Sequence, residues 1–204
     1  MKEIDPFGEQ ISHMDHELCT RNRWRKTFLG IAQAHTYWLY QVIDDILNEN
    51  QQICGIIEIG TYRGALSVFL GLECYERELK PLLTFDTKKF FSRRTMRCLP
   101  RLFELLKVDF VLKDCFSKKS IKKIKEYLDA PVFFVCDGGN KAREFNEFAP
   151  LLPKGSIIAA HDWSHEIWYD RVKETTDKFG FFPIKIEDWC IPPDYIFTSF
   201  WKRW

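Results

Sequence analysis

The sequence has no excess of charge of either sign and no long apolar run. Thirty basic and 29 acidic side chains give a net charge of +1 over 204 residues. Such a balance offers no field to attract a nucleic-acid backbone or an anionic membrane. No window approaches the roughly 18 apolar residues of a membrane-spanning helix, and MKEIDPFGEQ at the N-terminus has no apolar segment. We therefore expect neither a nucleic-acid partner, nor membrane insertion, nor secretion.

The seven cysteines include no Cys-x-x-Cys pair, which excludes the common zinc and dithiol redox motifs. They are odd in number, scattered along the chain and placed mostly inside apolar runs. Extracellular disulfide frameworks have even numbers of cysteines at regular spacings. The pattern predicts reduced core thiols in a cytoplasmic protein.

Five short apolar runs alternate with longer segments of helical periodicity, and neither a repeat nor a low-complexity tract interrupts them. The runs predict strands at 54–59, 82–85, 108–112, 132–136 and 156–160. The intervening segments predict helices at 65–79, 98–106, 117–128 and 141–152. Because strand, helix and strand repeated in this way require right-handed crossovers, we predict an α/β fold with a Rossmann-like, doubly wound, mostly parallel sheet.

Both ends of the chain depart from this alternation. Apolar spacing predicts an amphipathic helix over 35–50, after a polar arm at 1–34, so we place one domain at 35–204 with an N-terminal extension. A further helix is predicted at 164–179. The segments 181–188 and 195–201 flank Pro192-Pro193 and predict an antiparallel pair at one edge, for about seven strands in all. The C-terminal SFWKRW favours either an edge strand or a contact in a homo-oligomer.

Acidic residues follow every predicted strand. In an open sheet of this type the ligand crevice lies beyond the carboxyl ends of the strands, so these positions are the candidate site. The first strand carries Glu58 and leads into the turn Gly60, Thr61, Tyr62, Arg63 and Gly64. The later strands lead into Asp86, then Asp114 and Cys115, then Asp137, and finally His161 and Asp162.

The turn after the first strand is typical of a cofactor site. Gly60 permits a sharp turn, and Gly64 lets a helix begin close to the strand with backbone N–H groups facing the crevice. The dinucleotide fingerprint is absent, because Tyr62 stands where a glycine would admit a pyrophosphate and Glu58 would repel it. Asp86 can accept hydrogen bonds from both hydroxyls of a ribose. A phosphate-free nucleoside cofactor fits these residues best.

S-adenosylmethionine meets these requirements. Its ribose would bind Asp86, and its adenine would be framed by Asp114 and Cys115. Its sulfonium suits an acidic rim. Two simpler interpretations stay open: Asp86 and Asp114 could only cap local turns, and Cys115 could be an inert core residue.

The ordered set Glu58-x-Gly60-x-x-x-Gly64, Asp86, Asp137 and His161-Asp162 resembles class I S-adenosylmethionine-dependent methyltransferases over about residues 30–200. The stretches GTYRG and PLLPKGSIIAAHDW are similar to the branch with cephalosporin-hydroxylase-like and macrocin-type O-methyltransferases. The resemblance implies a methyl transfer from S-adenosylmethionine to a hydroxyl of a small molecule, a sugar or a natural product.

The resemblance also implies a divalent metal ion, magnesium in catechol and macrocin-type enzymes, with Asp137, His161 and Asp162 as its ligands. Here the sequence departs from the pattern, because position 161 is a histidine. Magnesium prefers oxygen ligands, so the histidine favours manganese or iron.

Two metal-free interpretations compete with this one. His161 could act as a general base oriented by Asp137 or Asp162, or Lys141 could do so if burial lowers its pKa. Alternatively, the glycines after Asp137 only form a turn and Asp162 only caps a helix that begins near Ser164.

Two other functions use the same scaffold. A nicotinamide-dependent oxidoreductase is the first, although the missing middle glycine argues against it. A non-catalytic module that binds S-adenosylmethionine is the second, since fold alone does not fix activity.

Overall fold

A computed structural model of the chain describes residues 27–29, 31–32, 35, 37–89, 95–184 and 198–204. Most of the predicted arm at 1–34 and the Pro192-Pro193 turn lie outside these residues. The division into an arm and one domain therefore stays a prediction.

Nine strands and six α-helices alternate along the described chain. The strands are β1 (Thr27–Phe28), β2 (Ile31–Ala32), β3 (Gly55–Ile59), β4 (Leu83–Asp86), β5 (Asp109–Leu112), β6 (Val132–Cys136), β7 (Ile157–His161), β8 (Phe181–Pro183) and β9 (Thr198–Arg203). The helices are α1 (Tyr37–Glu49), α2 (Ala65–Glu76), α3 (Thr95–Leu105), α4 (Lys118–Tyr127), α5 (Lys141–Phe148) and α6 (Tyr169–Phe179).

Seven strands form one sheet in the order β5-β4-β3-β6-β7-β9-β8. The five from β3 to β7 pair in parallel, and β9 runs antiparallel between β7 and β8. β1 and β2 form a separate antiparallel pair. The predicted α/β fold with a mostly parallel seven-stranded sheet and a C-terminal antiparallel pair is confirmed.

Apolar side chains cover both faces of the sheet because the central strands are apolar at nearly every position. On β3, Ile57 belongs to the cluster that α4, α5 and α6 bury, with Ile124, Phe145 and Val172. Ile56 points to the opposite face and belongs to the cluster that α1 and α2 bury. This arrangement holds the strands so that the carboxyl ends of β3 to β7 form one edge.

Two helix boundaries and the position of one strand differ from the sequence prediction for reasons that the structure shows. The helix predicted at 164–179 begins only at Tyr169, because Asp162 and Ser164 have positive φ and the carbonyl of Asp162 closes a turn with the N–H of His165. The helix predicted at 141–152 ends at Phe148 and continues as a 3₁₀ turn that contains Pro150. The C-terminal segment is a strand, but β8 and not β9 lies at the sheet edge.

Among the described helices, none is both long and apolar enough to cross a lipid bilayer. The described cysteines are free thiols, three of them buried, whereas Cys54 and Cys98 are exposed. The prediction of core thiols thus holds for only part of the set, and a cytoplasmic location stays a prediction.

The junction of β3 with the following turn brings two backbones into close contact at Gly60. Gly60 has φ +101°, and a Cβ built there would lie 2.2 Å from the carbonyl oxygen of Asp137. Both the dihedral angle and the contact therefore exclude a side chain. This contact joins the end of β3 to the end of β6.

We expect Gly60→Ala to lower the free energy of unfolding by about 2–4 kcal/mol, since it adds backbone strain and a clash with an atom that cannot move aside. Urea denaturation measures the change. Gly139→Ala is the matched control, because a Cβ at Gly139 would meet nothing within 4 Å. Equal losses for the two variants would contradict the argument.

Candidate active site

A cavity of about 280 Å³ lies at the carboxyl ends of β3, β4, β5 and β6. Its volume is near the lower end of the roughly 300–1,000 Å³ typical of small-molecule pockets. Four of the predicted cofactor residues line it, namely Gly60, Asp86, Asp114 and Cys115. The other lining residues are Ile59, Phe85, Thr87, Lys113, Phe116, Gly138, Gly139, Asn140 and Glu144.

Asp86 ends β4 and is fixed by two backbone donors. Its Oδ2 accepts from the N–H of Tyr62 at 2.8 Å, and its Oδ1 accepts from the N–H of Lys88 at 3.1 Å. Each carboxylate oxygen has two acceptor directions, so one on each oxygen is left by the hydrogen bonds that the described residues make. The half-buried carboxylate therefore presents two acceptors in a fixed orientation at the cavity wall.

The backbone N–H groups of the glycine turn do not face the crevice as predicted. Those of Gly60 and Thr61 donate to the carbonyl of Phe85, that of Tyr62 donates to Asp86, and that of Gly64 donates to the carbonyl of Thr61. The prediction is wrong because the edge of β4 and the turn itself use these donors. The four groups are therefore committed within the protein, which leaves none of them for a phosphate.

Glu58 does not line the cavity. It is fully buried in β3 and points toward α2. Its Oε2 accepts from Ser67 Oγ of α2 at 2.5 Å and from Thr84 Oγ1 of β4 at 2.6 Å. Its Oε1 makes no hydrogen bond within the described chain. Burial raises the pKa of Glu58 from 4.5 to about 8, although these two hydroxyls oppose the shift. The side chain is thus mostly neutral at pH 7.

Thr61, Tyr62 and Gly64 also lie outside the cavity lining. Thr61 is buried, and its hydroxyl lies 2.7 Å from the hydroxyl of Thr84. Gly64 has φ +85° and begins α2, with Leu99 where a side chain would stand. These residues shape the turn behind the cavity wall.

Asp114 and Cys115 line the far wall in different ways. Asp114 is exposed, and its Oδ1 accepts from the N–H of Phe116 at 2.9 Å, so it caps the local turn and also borders the cavity. Cys115 is buried, and burial raises the pKa of its thiol to about 12. The thiol therefore contributes contact area and no nucleophile.

Sequence reasoning missed Glu144, which belongs to the first turn of α5. Its carboxylate accepts from the N–H of Gly138 at 3.1 Å and from that of Asn140 at 3.2 Å. Burial raises its pKa to about 7, against the effect of these two donors. An acidic residue at the start of a helix was the available signal, but helix capping explains that signal equally well.

A second group of polar side chains lies beside this cavity, where β6 and β7 end. Nδ1 of His161 lies 3.2 Å from Oδ1 of Asp137 and 3.2 Å from Oδ1 of Asp162. The three predicted metal ligands are therefore neighbours. Sequence reasoning missed His35, whose Nε2 lies 2.9 Å from Oδ2 of Asp137. No periodicity marked this histidine, which precedes α1 and is 102 residues from Asp137.

These charges shift one another's ionisation. Burial disfavours the imidazolium of His161, but the carboxylates of Asp137 and Asp162 outweigh it and raise the pKa to about 9. Burial also disfavours the carboxylate of Asp137, but His161 and His35 hold its pKa well below the usual range. The pKa of His35 is lowered by burial and by His161. Asp137 is thus ionised between two imidazoles.

Lys141 was predicted to act as a general base only if burial lowers its pKa, and the structure does not meet this condition. Its Nζ lies 2.7 Å from Oε2 of Glu166 and 3.3 Å from Oδ2 of Asp162. Burial favours the neutral amine, but Asp137, Glu166 and Asp162 outweigh it and raise the pKa of Lys141. Lys141 therefore stays an ammonium that neutralises nearby carboxylates.

Asp162 does not cap a helix, since α6 begins seven residues later and Trp168 holds its N-cap position. Its carboxylate instead faces His161 and Lys141. The pKa of Asp162 is lowered, because these two cations outweigh the effect of burial. The interpretation of Asp162 as a simple cap is wrong.

Comparison with known proteins gives matches at the level of structure. A scan against protein-family models finds no match, and neither does a search of curated sequences. An apo structure of CmcI superimposes with a TM-score of 0.61 and 13% identity over 88% of this chain and 76% of that one. A structure of CmcI with magnesium and S-adenosylmethionine superimposes with a TM-score of 0.60 and 14% identity over 90% of this chain and 78% of that one.

CalS11, a TDP-rhamnose 3′-O-methyltransferase of calicheamicin biosynthesis, gives a TM-score of 0.54 and 15% identity over 81% of this chain and 78% of that one. The chain has the fold of class I S-adenosylmethionine-dependent methyltransferases. The sheet of this methyltransferase fold places the cavity at the ends of β3 to β6 and the histidine group at the ends of β6 and β7.

We expect the protein to lose stability as the pH rises from about 5 to 8, in part because of Glu58. Its pKa is 4.5 in the unfolded chain and about 8 in the folded one, so between these values the native state holds the extra proton. Each pH unit then costs up to about 1.4 kcal/mol. Glu58→Gln cannot titrate and should show a shallower decline in urea denaturation at pH 5.5 and 8.

The exposed Glu76→Gln on α2 is the control and should keep the slope of the wild type. If Glu58→Gln keeps that slope as well, Glu58 is ionised in the folded protein at pH 7.

Proposed function

We propose that the protein is an S-adenosylmethionine-dependent methyltransferase that methylates a hydroxyl of a small molecule. The carrying observation is Asp86, whose two oxygens are oriented by backbone donors at the wall of a cavity in a methyltransferase fold. A ribose diol can donate one hydrogen bond to each of these oxygens. The cofactor would lie across Gly60 and Gly138, with its adenine between Asp114, Cys115 and Phe116.

The hydrogen bonds of the backbone N–H groups in the glycine turn favour this cofactor over a nicotinamide dinucleotide. A dinucleotide site depends on free backbone N–H groups for its pyrophosphate. Here those of Gly60, Thr61, Tyr62 and Gly64 are already bonded within the protein. A nucleoside without phosphate needs none of them.

A divalent metal ion near Asp137 and His161 is part of the proposal. The fit is supported by Nδ1 of His161, which is buried, faces two carboxylates and makes no hydrogen bond within the described chain. When bound, such an ion supplies a Lewis acid that lowers the pKa of a coordinated hydroxyl. The protein's own contribution is to hold the acceptor oxygen in line with the methyl group and to exclude water.

The acceptor class rests on a fold neighbour and on the ionisable residues beside the cofactor cavity. CalS11 is described as a sugar O-methyltransferase, and the same edge of this sheet offers a small cavity beside a group of ionisable residues. A hydroxyl on a sugar or another small natural product is the acceptor that these features support.

We expect S-adenosylmethionine and S-adenosylhomocysteine to bind in isothermal titration calorimetry, and NAD⁺ not to bind. Asp86→Asn should weaken both by about 10–100-fold, because it removes the charge from the ribose hydrogen bonds and keeps an acceptor for Tyr62. Asp109→Ala, at the opposite end of neighbouring β5, is the control and should bind normally. Binding of NAD⁺ alone would overturn the proposal.

We also expect transfer of a labelled methyl group from S-adenosylmethionine to at least one member of a panel of sugars, sugar nucleotides and phenols. The label should appear as an alkali-stable methyl ether, followed by mass spectrometry. Binding without transfer to any acceptor would favour the non-catalytic module. In that case the cofactor site stands and the enzymatic proposal fails.

A further inference from the structure

Three side chains from three separate segments converge beside the cofactor cavity. His35 precedes α1, Asp137 follows β6, and His161 ends β7. One ligand atom of each lies within 4.8 Å of those of the other two. Ligand atoms at about 2.0–2.2 Å from a shared ion are at most about 4.4 Å apart, so small side-chain movements bring all three into contact with one ion.

We propose that His35, Asp137 and His161 together bind one divalent first-row transition-metal ion, in preference to magnesium. His35 is then a ligand in addition to the pair Asp137 and His161, and it takes the place predicted for Asp162. The inference goes beyond the proposed methyl transfer, because it concerns the identity of the ligands and the metal and holds whether or not a methyl group is transferred.

Burial and an unused ring nitrogen support a ligand role for His161. His35 and His161 are each 8% exposed, and their rings meet edge to face at 4.5 Å. Nδ1 of His161 lies 3.2 Å from two carboxylates without the geometry of a hydrogen bond to any described residue. A buried nitrogen without a well-aligned hydrogen bond is costly, and a bond to a metal ion would replace these longer contacts.

The donor set decides which metal fits. Two imidazole nitrogens and one carboxylate oxygen suit iron, cobalt, nickel and zinc. Magnesium requires near-octahedral oxygen ligands and binds imidazole poorly. The set has the composition of two histidines and one carboxylate, which leaves coordination positions open for an external ligand.

The surrounding charges agree with a dication. Three carboxylates, those of Asp137, Asp162 and Glu166, surround a single ammonium, that of Lys141. These carboxylates outnumber the lysine ammonium by two, so the group retains negative charge that a divalent ion can neutralise. Asp162 also lies 3.2 Å from Nδ1 of His161, but its other oxygen pairs with Lys141 at 3.3 Å, and it does not belong to the group whose ligand atoms all lie within 4.8 Å of one another.

Cobalt(II) is a suitable probe, because its visible absorption reports the ligands directly. The full-length protein, freed of metal with EDTA and dialysed, is titrated with cobalt chloride by calorimetry and by absorption. We expect one site per chain, d–d bands, and no thiolate charge-transfer band from the free cysteines. Magnesium chloride should bind at least about 100-fold more weakly.

Two variants separate this ligand set from the set that the sequence predicts. His35→Gln should weaken cobalt binding by about 100-fold or more because it removes a ligand, whereas Asp162→Asn, which removes only a neighbouring charge, should weaken it by about tenfold. Asp137→Asn should also abolish binding, and the exposed His165→Gln is the control with normal binding. Circular dichroism verifies that each variant is folded. If Asp137→Asn does not fold, cobalt binding to His35→Gln alone tests the proposal.

Three results would overturn the proposal. They are the absence of cobalt binding to the wild type, unchanged binding in His35→Gln, and magnesium binding as tight as that of cobalt. Titration of the same samples with S-adenosylhomocysteine keeps the two proposals apart, since cofactor binding without cobalt binding refutes only the metal site.

Discussion

The contact between Gly60 and the backbone of Asp137 sets the geometry of the whole candidate site. The carbonyl of Asp137 occupies the space where any side chain at Gly60 would lie, and the N–H of Asp137 donates to the carbonyl of Ile59 at 2.9 Å. The ends of β3 and β6 are therefore held together as they leave the sheet. One consequence is that the cofactor cavity and the histidine group share a boundary, with Gly138 in the cavity wall directly after Asp137.

Asp137 carries the electrostatic part of this arrangement. A buried carboxylate is tolerated only when charges or hydrogen bonds compensate it. Here the compensation comes from His161 at the end of β7 and from His35 in the segment before α1, on opposite oxygens of the same carboxylate. The group therefore ties the start of the described chain to the functional edge of the sheet. The contact of His35 with Asp137 is thus both a long-range tertiary contact and a part of the candidate site.

Sequence analysis was most successful where local pattern determines position. The five parallel strands were predicted from short apolar runs, and parallel pairing obliges their ends to meet at one edge, so Asp86, Asp114, Asp137 and His161 could be placed together without a structure. Details that depend on the third dimension were not accessible. The alternation of side chains along β3 directs Glu58 into the core beneath α2. The N–H of Tyr62 donates to Asp86, which ends another strand. His35 was missed for the same reason, because only the tertiary fold brings it to Asp137.

The charged side chains form two distinct groups along the carboxyl edge of the sheet, one at the cavity and one around Asp137. Glu58 is buried away from the cavity and Asp137 is paired with histidines, so the carboxylates that line the cavity are those of Asp86, Asp114 and Glu144. Their negative charge suits a ribose and a sulfonium and would disfavour a pyrophosphate. At the other end, histidine in place of a carboxylate at position 161 removes one negative charge and adds a nitrogen donor. In the proposed metal site this nitrogen would replace a hard oxygen ligand, and His35 would supply a second nitrogen.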